Sequence, residues 1–256
     1  MKKLLILLTG FLSAAITLHA QQKHSKFLAE PSVGPSFALG KFGDKTYSAP
    51  TETDPSGMAK TGLATQLSLG YKINESFGVL LLPGYSVHKQ DPSSQVESIK
   101  ASHSTAASDP TYRLNLRANK WKLTKLMAGG FFVTPLTESS KLALVTKLAA
   151  GVCKTEIPGY TYTETYNNGF VLNYFSQGNI KLPWTFCYQV SVGLKYKLLD
   201  NLHLLFDINS FNSTPTKDIT YYRALPTSAG PSVGQQIHVK YKLAELNTLV
   251  GIGFDF

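Results

Sequence analysis

Between Leu182 and Leu198 every second residue is large and apolar: Trp184, Phe186, Tyr188, Val190, Val192, Leu194 and Tyr196. Those in between, Thr185, Cys187, Gln189, Ser191, Gly193, Lys195 and Lys197, are small or polar. Alternation at period two is a strand signature, because successive side chains point to opposite faces and each face here meets different surroundings. The pattern recurs in Ser32–Phe42, Leu63–Ile73, Phe77–His88, Leu142–Cys153, Leu202–Asn212 and Glu245–Phe256. Tyr112–Pro135 is strand-like with a broken phase. Tyr112, Leu114 and Leu116 set one parity, Trp121 and Leu123 the other, so a bulge is expected near Ala118–Lys120. The sum is about eight strands in an all-β chain.

The connections also alternate. Tight turns at Asn74–Ser76, Thr137–Ser140 and Asp200–Asn201 are interleaved with long polar loops at 43–60, 91–111, 154–181 and 213–235. Tight turns at one end and long loops at the other predict an antiparallel up-and-down barrel. Within the third loop, Thr161–Tyr166 and Phe170–Phe175 flank Asn167-Asn168-Gly169, a strong hairpin signal. Those arms are too short to cross a bilayer in the usual span of about 9–11 residues, so the hairpin is expected above the membrane.

Alternation alone leaves two barrels open, a soluble one with its apolar face inside and a membrane one with that face on lipid. The polar face decides between them. A water-exposed face is dense in charge, whereas this one is mostly Gly, Ala and Ser with isolated Lys72, Lys147, Lys195, Lys197, Asp207 and Glu245. Aromatics near the strand ends (Tyr71, Phe77, Trp184, Tyr188, Tyr196, Phe254, Phe256) fit interfacial girdles. The expected fold is therefore a transmembrane barrel.

Met1-Lys2-Lys3, an apolar run from Leu4 to Leu18 and Ala20 before Gln21 predict a signal peptide over 1–20. A short periplasmic lead, 21–30, and a barrel domain, 31–256, follow. The net charge of +9 falls to +7 once Lys2 and Lys3 leave. Lys and Arg are scattered along the sequence, which argues against nucleic acid. Anionic surface glycolipid is the better match for the charge.

The ending Gly251-Ile252-Gly253-Phe254-Asp255-Phe256 resembles the terminal signal that outer-membrane barrels present to their insertion machinery, with Gly251, Phe254 and Phe256 as its carriers. Together with Val33–Gly40 (V-G-P-S-F-A-L-G) and Ala128–Leu136 (A-G-G-F-F-V-T-P-L), it makes the chain similar to the small bacterial outer-membrane β-barrel superfamily of OmpX-, OmpW- and PorT-like proteins. The resemblance implies outer-membrane localisation and partners among outer-membrane lipid and the barrel-insertion machinery. It implies no single activity, since one fold hosts many functions.

Lys147, Lys195 and Lys197 are expected to meet Asp207 and Glu245 in the lumen, with Asp207 diagonal to Lys195 across the Asp200–Asn201 turn. A buried charge needs a partner, so a plug of ion pairs is the plainer reading and a selectivity filter the sharper one. Cys153 and Cys187 share the inner face near the outer rim, as a disulfide or as two small buried thiols. Ser86 and His88 lie two apart, yet parity points them inward and no carboxylate is placed by sequence to orient the histidine. His203 and His238 are equally uncommitted. An enzyme is not expected, and no spacing suggests a metal or cofactor site. The aromatics Tyr160, Tyr162, Tyr166, Phe170, Tyr174 and Phe175 make the third loop a candidate surface for an extracellular protein or glycan. The reading is a non-enzymatic barrel displaying surface loops for interaction or envelope integrity, or else a narrow conduit or binder for small apolar ligands.

Overall fold

The structure is a computed structural model that describes residues 26–46, 53–102, 113–165, 171–175, 179–222 and 234–256. The expected signal peptide, Tyr166 and Phe170 lie outside the described residues. In chain order the strands are β1 (Phe27–Ala38), β2 (Gly62–Lys72), β3 (Phe77–Lys89), β4 (Arg113–Ala118), β5 (Lys120–Pro135), β6 (Leu142–Ile157), β7 (Tyr160–Thr165) and β8 (Val171–Phe175). They continue with β9 (Ile180–Lys181), β10 (Thr185–Leu199), β11 (Leu202–Ser213), β12 (Thr216–Tyr222), β13 (Gly234–Lys240) and β14 (Leu243–Asp255).

Eight of these close a barrel in the order β10-β11-β14-β1-β2-β3-β5-β6, with β6 pairing back onto β10. All eight pairings are antiparallel. At one end the connections are tight. Asn74 Oδ1 accepts from the amides of Ser76 (2.9 Å) and Phe77 (2.7 Å), which caps the β2–β3 turn. The same end carries the seam, where Phe27 and Phe256 exchange backbone hydrogen bonds of 3.1 and 2.8 Å.

The apolar faces point outward. Phe186 is 65% exposed and Leu148 64%, whereas Gln189 and Ser191, on the other face of β10, are 1% exposed. A soluble barrel with an apolar cavity would show the reverse. From Phe77 to Tyr85 the outward band of β3 is about 21 Å tall, taking roughly 3.4 Å per residue and a tilt near 40°.

Inside, bulky side chains lie against glycines on the neighbouring strand, as the narrow bore of an eight-stranded barrel demands. A Cβ on Gly253 would fall 1.8 Å from His203 Nε2, and one on Gly62 would fall 2.8 Å from His88 Nδ1.

Three elements differ from expectation. Part of the expected lead, 21–30, is already strand, since β1 begins at Phe27 and carries the lumen residue Glu30. The phase switch near Ala118–Lys120 is a change of sheet, not a bulge within one strand. β4 pairs with β7, while β5 pairs with β3 and β6. The second long loop contains a helix, Ser93–Ser102, which its weak amphipathic pattern did not announce.

Candidate functional site

The lumen holds three layers of polar side chains under an apolar lid. In the layer nearest the tight turns, Lys147 Nζ lies 3.1 Å from Glu30 Oε2 and 2.8 Å from Asp207 Oδ2. His203 Nε2 stands 3.2 Å from Glu30 Oε1, and Asp255 Oδ2 meets Lys72 at 2.9 Å and Lys195 at 3.6 Å. Lys147 reaches Asp207 across β10 because the two facing positions there, Ser191 and Gly193, are small. A Cβ on Gly193 would sit 2.7 Å from Asp207 Oδ1.

The middle layer is uncharged. Gln189 Nε2 donates to Gln66 Oε1 (3.0 Å) and Asn247 Nδ2 to Asn209 Oδ1 (2.8 Å). Above it, Glu245 is fully buried. Its Oε1 accepts from Ser86 Oγ at 2.7 Å and faces His88 Nε2 at 2.9 Å, and its Oε2 meets Lys125 Nζ. His88 Nδ1 faces the Lys60 carbonyl at 2.9 Å and Ser36 Oγ stands 3.1 Å from Nε2. The Lys125 ammonium also lies 3.9 Å above the Phe211 ring, a favourable desolvated cation–π contact.

The lid is formed by the described residues of the connection between β1 and β2, folded back into the mouth. A single helical turn, Gly40–Gly43, drives Phe42 inward to 1% exposure, edge-on to His88 (5.1 Å between centroids) and Trp121 (5.3 Å). Trp121 Nε1 donates to the Gly57 carbonyl at 2.9 Å, tying the lid to β5. With Met58 and Ala59 also buried, the mouth is closed by apolar side chains.

Further strands stand beyond the lid. β4, β7 and β8 form a three-stranded sheet, and β12 pairs with β13. β7 and β8 pair Thr161 with Phe175, Tyr162 with Tyr174 and Thr165 with Val171. Tyr160, which opens β7, is half-buried. On the outer wall a cleft of about 450 Å³ opens beside Leu39, Phe186, Tyr188, Asn212, Lys41 and Lys242.

Sequence reasoning placed some of these groups and misplaced others. Lys147 and Asp207 are paired, but Lys195 meets Asp255 instead of its diagonal neighbour Asp207, which Lys147 occupies. Lys197 is outside the lumen. It sits near the strand end, where it pairs with Asp200 in the exposed turn at 2.8 Å. Glu245 is served by Lys125 and His88, from β5 and β3, and not by the lysines of β6 or β10. Cys153 and Cys187 are both free. Thr185 is the residue opposite Cys153, so the cysteines are diagonal, with their unbridged thiols within hydrogen-bond reach of each other. Cys153 Sγ also donates to Ser213 Oγ at 3.2 Å. Of the terminal residues, Gly251 faces Leu205 and Ser32, Phe254 faces Leu202 and Ala29, and Phe256 closes the seam with Phe27.

The carboxylate that sequence could not supply to Ser86 and His88 is Glu245, from the last strand. The arrangement is not a hydrolytic triad. There the carboxylate accepts a hydrogen bond from one ring nitrogen and the nucleophile faces the other. Here Glu245 and Ser36 share Nε2, Nδ1 faces a backbone carbonyl, and the Ser86 hydroxyl is spent on the carboxylate.

No protein-family model and no curated protein matches the chain. Among solved structures, Neisserial surface protein A is 10% identical with a TM-score of 0.41, covering 90% of this chain and 97% of its own. Ail, the attachment invasion locus protein of Yersinia pestis, is 12% identical with a TM-score of 0.40, covering 90% and 99%. The outer membrane protein AlkL, solved in lipid bilayers, is 14% identical with a TM-score of 0.41, covering 93% and 92%. At such values the likeness carries no argument of its own, and the barrel stands on its strand pairings.

Proposed function

We propose that this chain is a non-enzymatic integral protein of the bacterial outer membrane, a barrel closed to flow that presents folded extracellular β-structure for interaction or envelope integrity. One observation carries the reading. The wall is apolar outside and the bore is filled inside, with Glu245, His88, Ser36 and Phe211 at 0% exposure in its upper part and Phe42 over its mouth. A bore packed to that degree leaves no aqueous path, and the extracellular strands are what remains to meet a partner. Exported and inserted, the barrel would hold the β4–β7–β8 sheet and the β12–β13 hairpin outside the cell. That is where an extracellular protein or glycan would engage the third-loop aromatics.

The second reading, a binder of small apolar ligands, is favoured by the outer-wall cleft beside Leu39, Phe186 and Tyr188. Planar-bilayer recordings separate the two. The closed barrel gives no discrete openings, whereas stepwise conductance from the purified wild-type chain would overturn it. Partitioning of a small alkane or aromatic probe onto the protein, lost in Phe186→Ser, would favour the binder.

A further inference from the structure

The scattered lysines converge on one side of the barrel. Register aligns the outward residues of β3, β5, β6 and the start of β10 in rows. One row is apolar: Pro83, Leu126, Val152 and Phe186. Next toward the loops come Tyr85, Thr124, Lys154 and Trp184, with Lys154 Nζ 5.9 Å from the Trp184 ring centroid. The row beyond holds Val87, Lys122 and Glu156, and the last pairs Lys89 directly with Lys120. Rows are about 7 Å apart along the strand, so the lysines stand at headgroup depth above an aromatic girdle.

Lys89 and Lys120 are both exposed and directly opposite each other, a juxtaposition that repels. Among the described residues no carboxylate pairs with Lys89, Lys120 or Lys154; Glu156 answers Lys122 at 3.4 Å, and Asp91 answers the nearby Lys60 at 3.3 Å. Three other outward lysines have carboxylate partners. Lys41 and Lys242, beside the cleft, are matched by Asp44 and Asp54, and Lys197 at the other rim by Asp200.

We propose that the β3–β5–β6 wall binds a phosphorylated glycolipid of the outer leaflet. Its acyl chains lie on Leu126, Val152 and Phe186, and its phosphate is held by Lys89 and Lys120. Two like charges facing each other at the edge of an apolar belt call for an anion that carries its own apolar tail. The proposal rests on the outer-membrane reading above.

The test uses the full chain in phosphatidylcholine nanodiscs, titrated with bisphosphorylated lipid A, with dephosphorylated lipid A and with inorganic phosphate. The wild type retains the phosphorylated lipid more tightly than the dephosphorylated one and releases it as salt rises. Lys89→Ser with Lys120→Ser weakens retention about tenfold or more, while Lys26→Ser at the opposite rim leaves it unchanged. Lys89→Arg with Lys120→Arg keeps it. An unchanged heat-dependent gel shift shows that each variant has folded. Equal retention by the wild type and the double serine variant overturns the proposal. So does equal loss in Lys26→Ser, or full displacement by inorganic phosphate. Flotation with liposomes before any glycolipid is added keeps the two readings apart: a wild-type chain that stays in the aqueous fraction sinks the membrane reading, and this proposal with it.

Discussion

The two charged layers of the lumen are built on opposite plans. The upper one converges on a single carboxylate, with Lys125, His88 and Ser86 all turned to Glu245. The lower one spreads three carboxylates, Glu30, Asp207 and Asp255, over Lys147, Lys72, Lys195 and His203. Burial differs in step: Glu245 is 0% exposed, while the side chains of Lys72 and Lys195 are 24% and 16% exposed. A convergent network has no substitute when its hub is lost. A distributed one redistributes, and water reaches its edge. The lower layer is thus the tolerant one.

Losing the upper hub breaks the comparison hardest. Glu245→Gln strands the Lys125 ammonium in the bore and lowers stability by about 3–5 kcal/mol, the usual cost of an unpaired buried charge. It is read as the urea midpoint in detergent micelles. Adding Lys125→Met to that variant recovers at least half of the loss, because an absent pair costs far less than a broken one. Lys147→Met comes next, at about 2–4 kcal/mol. It deprives Asp207 of its cation, but Glu30 keeps His203, and a loss exceeding that of Glu245→Gln would reverse the ranking. Asp255→Asn costs about 1 kcal/mol, since Lys72 and Lys195 are partly hydrated without it. Lys197→Ala, removing an exposed pair at the turn, leaves the midpoint where it was. A measurable drop there would place Lys197 back among the structural lysines.

The lid and the wall differ in the same way. Phe42 and Trp121 sit edge-on at 1% and 2% exposure, held by a turn and an indole hydrogen bond. The apolar residues of the wall, Phe186 and Leu148 among them, face outward, where the proposed membrane reading puts lipid against them. That contrast makes the mouth a fixed closure and the wall a surface.

Much of this was written into the order of residues. Period two along Leu182–Leu198 and its counterparts determined the strands and which face is apolar, because a shift by one residue inverts every side chain. The spacing of tight turns and long loops determined the up-and-down path, and Asn167-Asn168-Gly169 marked the β7–β8 hairpin. Pairing across the bore was not legible. Glu245 meets Lys125 over 120 residues of chain, and Lys147 meets Glu30 over 117. Which inward side chains share a layer depends on the stagger with which β6 closes on β10 and β14 on β1, a property of the closed sheet and of no single strand. The registers of β3 with β5 and of β5 with β6 bring Lys89, Lys120, Lys122 and Lys154 together on the wall.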